Sequence, residues 1–260
     1  MADGGYVYWI DTLAVSRTPA MKLSQYPEKL YSGNNTLGDL AIDQGNVYFT
    51  VPQKDQVVRM ALDGSSPVTL AQELVGNGPT RIALDAINVY WRTPSGIRTA
   101  SKIGTNQSPT VVYPTTNMPD GPMVMRLDVA YWTQNGELWR AVPKSGGWNS
   151  GQLKTGLQTV FAMATTPDYV YWSQWDQSQL WRAKLDGTNP SQMAGCVAQS
   201  KAMVSRDGNV YWSHGKWIMM YSTGPWCQSV IQLIDDPIGL AIDDGAIYWA
   251  TQNSIMGLAR

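Results

Sequence analysis

The chain has 260 residues, 15% of them charged, a formal net charge of -1 and a single histidine. With so few charges and no excess of cations it lacks the basic face that releases counterions from phosphates, which excludes nucleic acid as a partner. No apolar run approaches the roughly 18 residues of a membrane helix, so no membrane insertion is expected, and one histidine rules out histidine-dyad chemistry and His-rich metal sites.

Strand text begins at once. Met1-Ala2-Asp3-Gly4-Gly5 leads into Tyr8-Trp9-Ile10-Asp11 with no signal peptide before it. This suits a cytoplasmic protein or, the preferred reading, a soluble secreted or periplasmic one whose signal has been removed. The pair then recurs as Tyr48-Phe49, Tyr90-Trp91, Tyr131-Trp132, Tyr171-Trp172, Tyr211-Trp212 and Tyr248-Trp249, successive tyrosine numbers differing by 40, 42, 41, 40, 40 and 37. A period of about 40 residues written in strand-forming text is the mark of propeller blades.

The stretch from Asp39 to Gln72 shows one blade. Asp39 to Asp43 is a short apolar strand, Gln44-Gly45 a turn, and Asn46 to Val51 an alternating second strand. Pro52 to Asp55 is a polar loop, Gln56 to Leu62 a third strand stopped by Asp63-Gly64, and Pro67 to Ala71 a fourth. Strands rich in β-branched and aromatic residues, separated by Gly, Pro, Asn and Asp, read as antiparallel hairpins. The third-strand phrase returns as Leu138-Trp139-Arg140-Ala141 and Leu180-Trp181-Arg182-Ala183, and the stop as Asp186-Gly187. One such sheet exposes two faces, and stacking sheets buries both, so the Tyr-Trp pairs are assigned to packing between blades.

Second and third strands each number seven. Full first strands and fourth strands each number six, because Ala2-Asp3 is only the stub of a first strand and Ile255 to Arg260 is a third. The expectation is one all-β domain over residues 1–260, a β-propeller of four-stranded antiparallel blades, seven preferred and six as the alternative. Cys196 falls near the end of one fourth strand and Cys227 near the start of the next. Opposite ends of neighbouring blades would hold them too far apart to bridge, so unpaired cysteines are expected.

The phrases Tyr8-Trp9-Ile10-Asp11, Tyr131-Trp132-Thr133-Gln134 and Tyr171-Trp172-Ser173-Gln174, followed by Leu-Trp-Arg-Ala and Leu-Asp-Gly, resemble the YWTD repeats of low-density-lipoprotein-receptor-like propellers, and more closely bacterial repeat proteins of that type. The resemblance covers essentially the whole chain and implies a protein- or ligand-binding role. Members are best known with six blades. The fourth letter is Asp only at Asp11, whereas Val51, Thr93, Gln134, Gln174, His214 and Thr251 stand elsewhere, which weakens any transfer of receptor-like binding. Gluconolactonase-like enzymes are similar in architecture and virginiamycin B lyase in repeat length. Both use acidic or histidine chemistry for which this chain has little material.

Function is sought where the repeat is broken, on the face carrying the loops into first strands and the turns between second and third strands. One aligned row of first-strand positions reads Asp39, Arg81, Val124, Ala162, Ala202 and Gly239, and the next Ala41, Ala83, Arg126, Ala164, Val204 and Ala241. Asp39, Arg81 and Arg126 stand out as an anion site or, alternatively, an internal ion network. Among the loops, Trp175 and Trp217 are placed as stacking residues and Gln134, Asp176 and His214 as hydrogen-bonding partners. A flat ring beside amides and carboxylates is the chemistry of a sugar site. The Asp235-Asp236 and Asp243-Asp244 runs are assigned to turns rather than calcium. No phosphate loop, nucleophile turn or zinc motif occurs.

The reading reached is a ligand-binding propeller without a recognisable catalytic motif or cofactor, whose partner is a small ligand, a glycan or a protein segment. The alternative is a metal-assisted lactonase or hydrolase in which Asp39 and Asp120 hold a divalent cation such as calcium and Arg81 or Arg126 steadies an oxyanion.

Overall fold

Each repeat folds into a meander because its turns carry the residues that tight reversals need. A computed structural model describes residues 1–23, 26–43, 45–175, 178–197, 199–222 and 226–260. Its first sheet is β1 (Ala2–Asp3), β2 (Tyr6–Asp11), β3 (Ala14–Pro19) and β4 (Glu28–Ser32). The second is β5 (Leu40–Ile42), β6 (Asn46–Val51), β7 (Gln56–Ala61) and β8 (Val68–Gln72), and the third β9 (Ile82–Leu84), β10 (Asn88–Thr93), β11 (Gly96–Ser101) and β12 (Thr110–Pro114). The fourth is β13 (Met123–Arg126), β14 (Val129–Gln134), β15 (Glu137–Lys144) and β16 (Gly147–Lys154). The fifth is β17 (Met163–Thr165), β18 (Tyr169–Gln174), β19 (Gln179–Lys184) and β20 (Ser191–Val197), and the sixth β21 (Met203–Arg206), β22 (Asn209–His214), β23 (Trp217–Tyr221) and β24 (Gln228–Gln232). The seventh, β25 (Gly239–Ile242), β26 (Ala246–Ala250) and β27 (Ile255–Ala259), has three strands among the described residues.

The chain is therefore an all-β, seven-bladed propeller of meandering antiparallel sheets, and the helical content described is one 3-10 turn at Pro52–Lys54. The stub at the start is a true first strand, Ala2 pairing with Val7 and Asp3 with Tyr6. By contact density the chain groups into two compact units, Met1–Val129 with Ala141–Ser150 and Ala130–Arg140 with Gly151–Arg260, so the fourth sheet lends strands to both.

The repeated pair forms the core. Trp91, Trp132, Trp172, Trp212 and Phe49 are fully buried, as are the tyrosines beside them. In the first unit Tyr8, Val15, Val47, Phe49 and Met60 pack together; in the second Tyr171, Leu180, Trp212 and Tyr221 do. Each large ring placed there removes 150–250 Å² from water. Trp172 stacks on its cross-strand partner Trp181 with centroids 6.3 Å apart, and Trp132 on Trp139 at 6.2 Å, which accounts for the tryptophans of the Leu-Trp-Arg-Ala phrase.

Polar residues of the repeat tie one sheet to the next. The third-strand arginines reach to the residue just before the following sheet's Asp-Gly turn: Arg17 Nη1 donates to Leu62 O at 2.9 Å and Arg140 Nη1 to Leu185 O at 3.1 Å. Hydroxyls two residues after the tyrosine do the same at the other end. Thr50 Oγ1 accepts the Asp39 amide at 2.9 Å and donates to Thr80 O at 3.2 Å, and Ser173 Oγ donates to Ser200 O at 3.4 Å.

Aspartates five residues before the tyrosine shape the first turn. Asp243 Oδ1 accepts the amides of Gly245 and Ala246, both at 2.8 Å, and Oδ2 accepts the Tyr248 hydroxyl at 3.0 Å. Asp43 and Asp85 repeat the arrangement. In two sheets without that aspartate, the fourth and sixth, left-handed residues make the turn instead: Leu127, at φ 54°, and Asp207 with Gly208, at φ 52° and 78°.

Cys196 and Cys227 form a disulfide, Cα atoms 5.3 Å apart, against the expectation that they stay separate. The cause is local. The β19–β20 ladder runs from Trp181↔Gln192 directly to Gln179↔Val197, so residues 193–196 leave the pairing, and Cys196 is drawn into the cluster that holds Tyr221 and Cys227.

Candidate functional site

In the first unit the loop-bearing end is charged and internally satisfied. Asp39 precedes β5; its Oδ1 accepts the Leu40 amide at 2.9 Å and its Oδ2 the Ile82 amide at 3.2 Å, so the carboxylate staples one first strand to the next. Burial pushes its carboxyl upward, against the pull of the Ile82 amide and the Arg81 charge. Arg81 makes a forked pair with Asp120, Nε to Oδ1 at 3.2 Å and Nη2 to Oδ2 at 2.8 Å. The loop that presents Asp120 is held from beneath by Arg92, which stands where four of the other repeats carry a hydroxyl. Its Nη2 donates to Pro119 O at 2.6 Å, and burial lowers the guanidinium to about 10, still protonated at neutral pH.

Arg126 does not join this group. In sheets two, three, five, six and seven the first-strand partner of the tyrosine lies seven residues upstream, as with Ala41↔Tyr48 and Val204↔Tyr211. Seven before Tyr131 is Val124, so Arg126, the last residue of β13, belongs with Asp43 and Asp85 at the far end of the strand. The turn is no shorter, Leu127-Asp128 standing between Arg126 and Val129 as Ala86-Ile87 stand between Asp85 and Asn88; the alignment slipped because Arg126 replaces the aspartate that marks this end of the strand in the second, third and seventh sheets.

A buried network sits at the same end of the second and third sheets and was not foreseen. Glu73, just past β8, accepts Trp91 Nε1 at 2.7 Å and Asn77 Nδ2 at 2.7 Å, with Arg98 Nε 3.9 Å away. Asn77 Oδ1 in turn accepts the Ser95 amide at 3.1 Å, and Arg98 Nη2 donates to Ser95 Oγ at 2.6 Å. Its sequence signal was weak: one of three glutamates in the chain, outside any motif.

In the second unit the same end is aromatic. Trp175 follows β18, half-buried, and meets Phe161 edge-to-face with centroids 5.4 Å apart. Lys201 places its Nζ 6.0 Å from the Trp175 ring. Phe161 is 54% exposed and immediately precedes the first-strand row at Ala162, as Lys201 precedes Ala202 and Ile238, 49% exposed, precedes Gly239. Lys201 makes no ion pair among the described residues; Asp176 lies outside them. Neither Phe161 nor Lys201 was expected. The signal available was that each occupies the last loop position before a first strand, and that Phe161 is one of only two phenylalanines.

His214 and Trp217 face each other across the two-residue turn of the sixth sheet, Trp217 being 36% exposed. His214 Nδ1 accepts the Gln199 amide at 3.3 Å, and desolvation lowers the imidazole below its ordinary value, keeping it neutral at neutral pH. Gln134 is buried, its Oε1 taking the Trp132 indole N–H at 3.3 Å. Among the described residues no group of three or more His, Cys, Asp or Glu side chains is arranged to hold a metal ion. The two carboxylates considered for a cation are each engaged, Asp39 with amides and Asp120 with Arg81.

No protein-family model and no curated protein matches the chain. Solved structures do. It is similar to the catalytically inactive H270A virginiamycin B lyase of Staphylococcus aureus with quinupristin, at 15% identity and a TM-score of 0.77, covering 98% of this chain and 91% of that one. It is similar to a chain of the nidogen/laminin complex at 18% identity and a TM-score of 0.65, covering 88% and 92%. A chain of the mitotic checkpoint complex is similar at 12% identity and a TM-score of 0.70, covering 95% and 84%. These likenesses establish the propeller fold alone.

Proposed function

We propose that the protein is a non-enzymatic binding module of the YWTD-like type, taking a glycan or a protein segment on the loop-bearing end of its second unit. The observation that carries this is the Phe161–Trp175–Lys201 cluster: two rings held at right angles, one of them more than half exposed, with a cation over the second. Large exposed rings on a rigid frame are costly to leave in water without a purpose and suit a ligand that offers a flat or apolar face. Trp217 and His214 extend the surface, and the neutral imidazole serves as a hydrogen-bonding group rather than a charge. The nidogen/laminin and mitotic checkpoint complexes contain propellers of this fold among protein partners, which favours a protein segment as strongly as a glycan. The disulfide supports an oxidising compartment, hence a secreted or periplasmic protein.

The metal-assisted hydrolase is the weaker reading, because its two carboxylates are already committed to protein donors. A glycan array and a peptide library, screened with the wild-type protein and with Trp175→Ala, test the proposal. Signal that disappears in the variant upholds it. Lactone hydrolysis that a chelator abolishes, with no array signal, overturns it in favour of the enzyme.

A further inference from the structure

The loop-bearing end of the second unit is held by two clamps of the same design. In the fifth sheet the Trp175 amide donates to Thr159 O at 2.9 Å and the Ser173 amide to Ala162 O at 3.2 Å. In the sixth the Ser213 amide donates to Ala202 O at 3.1 Å, the Lys201 amide to Ser213 Oγ at 3.2 Å and the Gln199 amide to His214 Nδ1 at 3.3 Å. Each clamp lays the loop entering a first strand along the end of the second strand beside it. The first sets Phe161 against Trp175, and the second fixes the loop that carries Lys201 to the end of the strand that carries His214. Main-chain bonds thus order these residues before any ligand arrives, which lowers the cost of binding.

The chemistry of this surface is one-sided. Lys201 Nζ offers three donors and no acceptor, and it lies 6.0 Å from the Trp175 ring. The Trp175 indole Nε1 is a donor only. Because His214 Nδ1 accepts the Gln199 amide, the proton of the neutral imidazole is assigned to Nε2, so its second nitrogen also donates. None of these three donors meets a protein acceptor among the described residues. Of the acids at this end, Glu137 is taken up by Trp139 Nε1 at 2.8 Å and Gln152 Nε2 at 2.6 Å. Asp235 and Asp236 make no ion pair with Lys201 among the described residues, and Asp176 lies outside them.

Donors around two rings, one of them more than half exposed, call for a ligand that brings acceptors and a flat C–H face together. An ionised carboxylate is acceptor-only and takes charge-assisted bonds from lysine. A pyranose bearing a carboxylate carries the face and the charge on one residue, whereas a peptide needs two side chains to do so.

We propose that this site selects acidic sugars of the uronate class, the ring lying against Phe161 and Trp175, the carboxylate meeting Lys201 and the His214 Nε2–H donating to a ligand oxygen. The inference rests on the binding reading given above and narrows it to a charged glycan.

The test titrates the whole protein with oligosaccharides of galacturonate and of glucuronate, and with their methyl esters, by calorimetry. The ester keeps the ring and its hydroxyls and loses only the charge, so it leaves the protein untouched should a variant misfold. At least one acid is expected to bind, and its ester at least about tenfold more weakly, as loss of a hydrogen bond to a charged group implies. Lys201→Met is expected to abolish the preference for acid over ester and Lys201→Arg to keep it, while Trp175→Ala removes binding of both. The proposal is overturned if neither acid binds up to about 1 mM, if acid and ester bind equally, or if Lys201→Met keeps the preference. A neutral glycan or a peptide bound through Trp175 more tightly than either acid overturns it too, yet leaves the broader binding reading standing. Absence of any ligand that depends on Trp175 overturns both.

Discussion

The two units use the same end of their sheets in opposite ways. In the first, Asp39, Arg81, Asp120 and Arg92 give a charged rim, and each is occupied by a neighbouring amide, carbonyl or opposite charge. In the second, Phe161, Trp175 and Ile238 give an apolar rim, with Lys201 as its nearby cation. Charge drew attention in the sequence, yet charge beside a first strand is what loops need to be held together. The exposed rings, which nothing in the repeat demands, are the better sign of a ligand.

The sharpest way to break this comparison is at the first unit's buried network. Glu73→Leu is expected to cost about 3–5 kcal/mol in urea unfolding, because it strands the buried Trp91 indole N–H and the Arg98 charge. Glu73→Gln, which keeps an acceptor for Trp91, should cost clearly less. In the second unit, Cys196→Ser with Cys227→Ser should lower stability by about 3–4 kcal/mol, the value for closing a loop of this length. Equal stability of oxidised and reduced protein would show that the bridge constrains nothing.

Trp175→Ala and Lys201→Ala should leave unfolding within about 1 kcal/mol of wild type while weakening ligand binding at least about tenfold, as loss of an aromatic or cationic anchor does. Binding lost equally on Arg81→Met would move the site to the first unit. Asp120→Asn, which breaks an exposed pair, should change stability by about 0–1 kcal/mol.

Alkaline titration addresses both units at once. Burial and the Asp243 carboxylate raise Tyr248 to about 12, and Tyr48 and Tyr90 are raised further for the same reasons. The folded state thus holds protons that the unfolded chain releases near 10.0. The stability these tyrosines contribute is complete below that pH and falls as pH climbs through 12. Tyr248→Phe should shrink the loss, read by circular dichroism across that window.

The repeat was legible because its period is carried by bulky rings that must alternate across a second strand, and no other architecture buries them at that spacing. Trp175 was legible for the converse reason, being a ring the repeat does not call for. Phe161 and Lys201 were not, because each stands just short of a strand whose start only the ladder defines. Arg126 was misplaced by two positions, because it stands where the second, third and seventh sheets carry the aspartate that marks the end of the first strand. The disulfide was missed because it depends on four residues leaving the β20 ladder, an excursion that no local propensity encodes.

By itself, then, the order of residues determined an all-β propeller and the packing role of the Tyr-Trp pairs, and favoured seven blades over six, since these follow from periodicity and side-chain size. Only the tertiary structure decided which charges are spent on neighbouring strands, which cysteines meet and which rings stay in water. Those outcomes depend on distances between residues 30 to 40 positions apart, such as Thr50 to Thr80 and Arg81 to Asp120, and turn lengths and bulges set such distances one residue at a time.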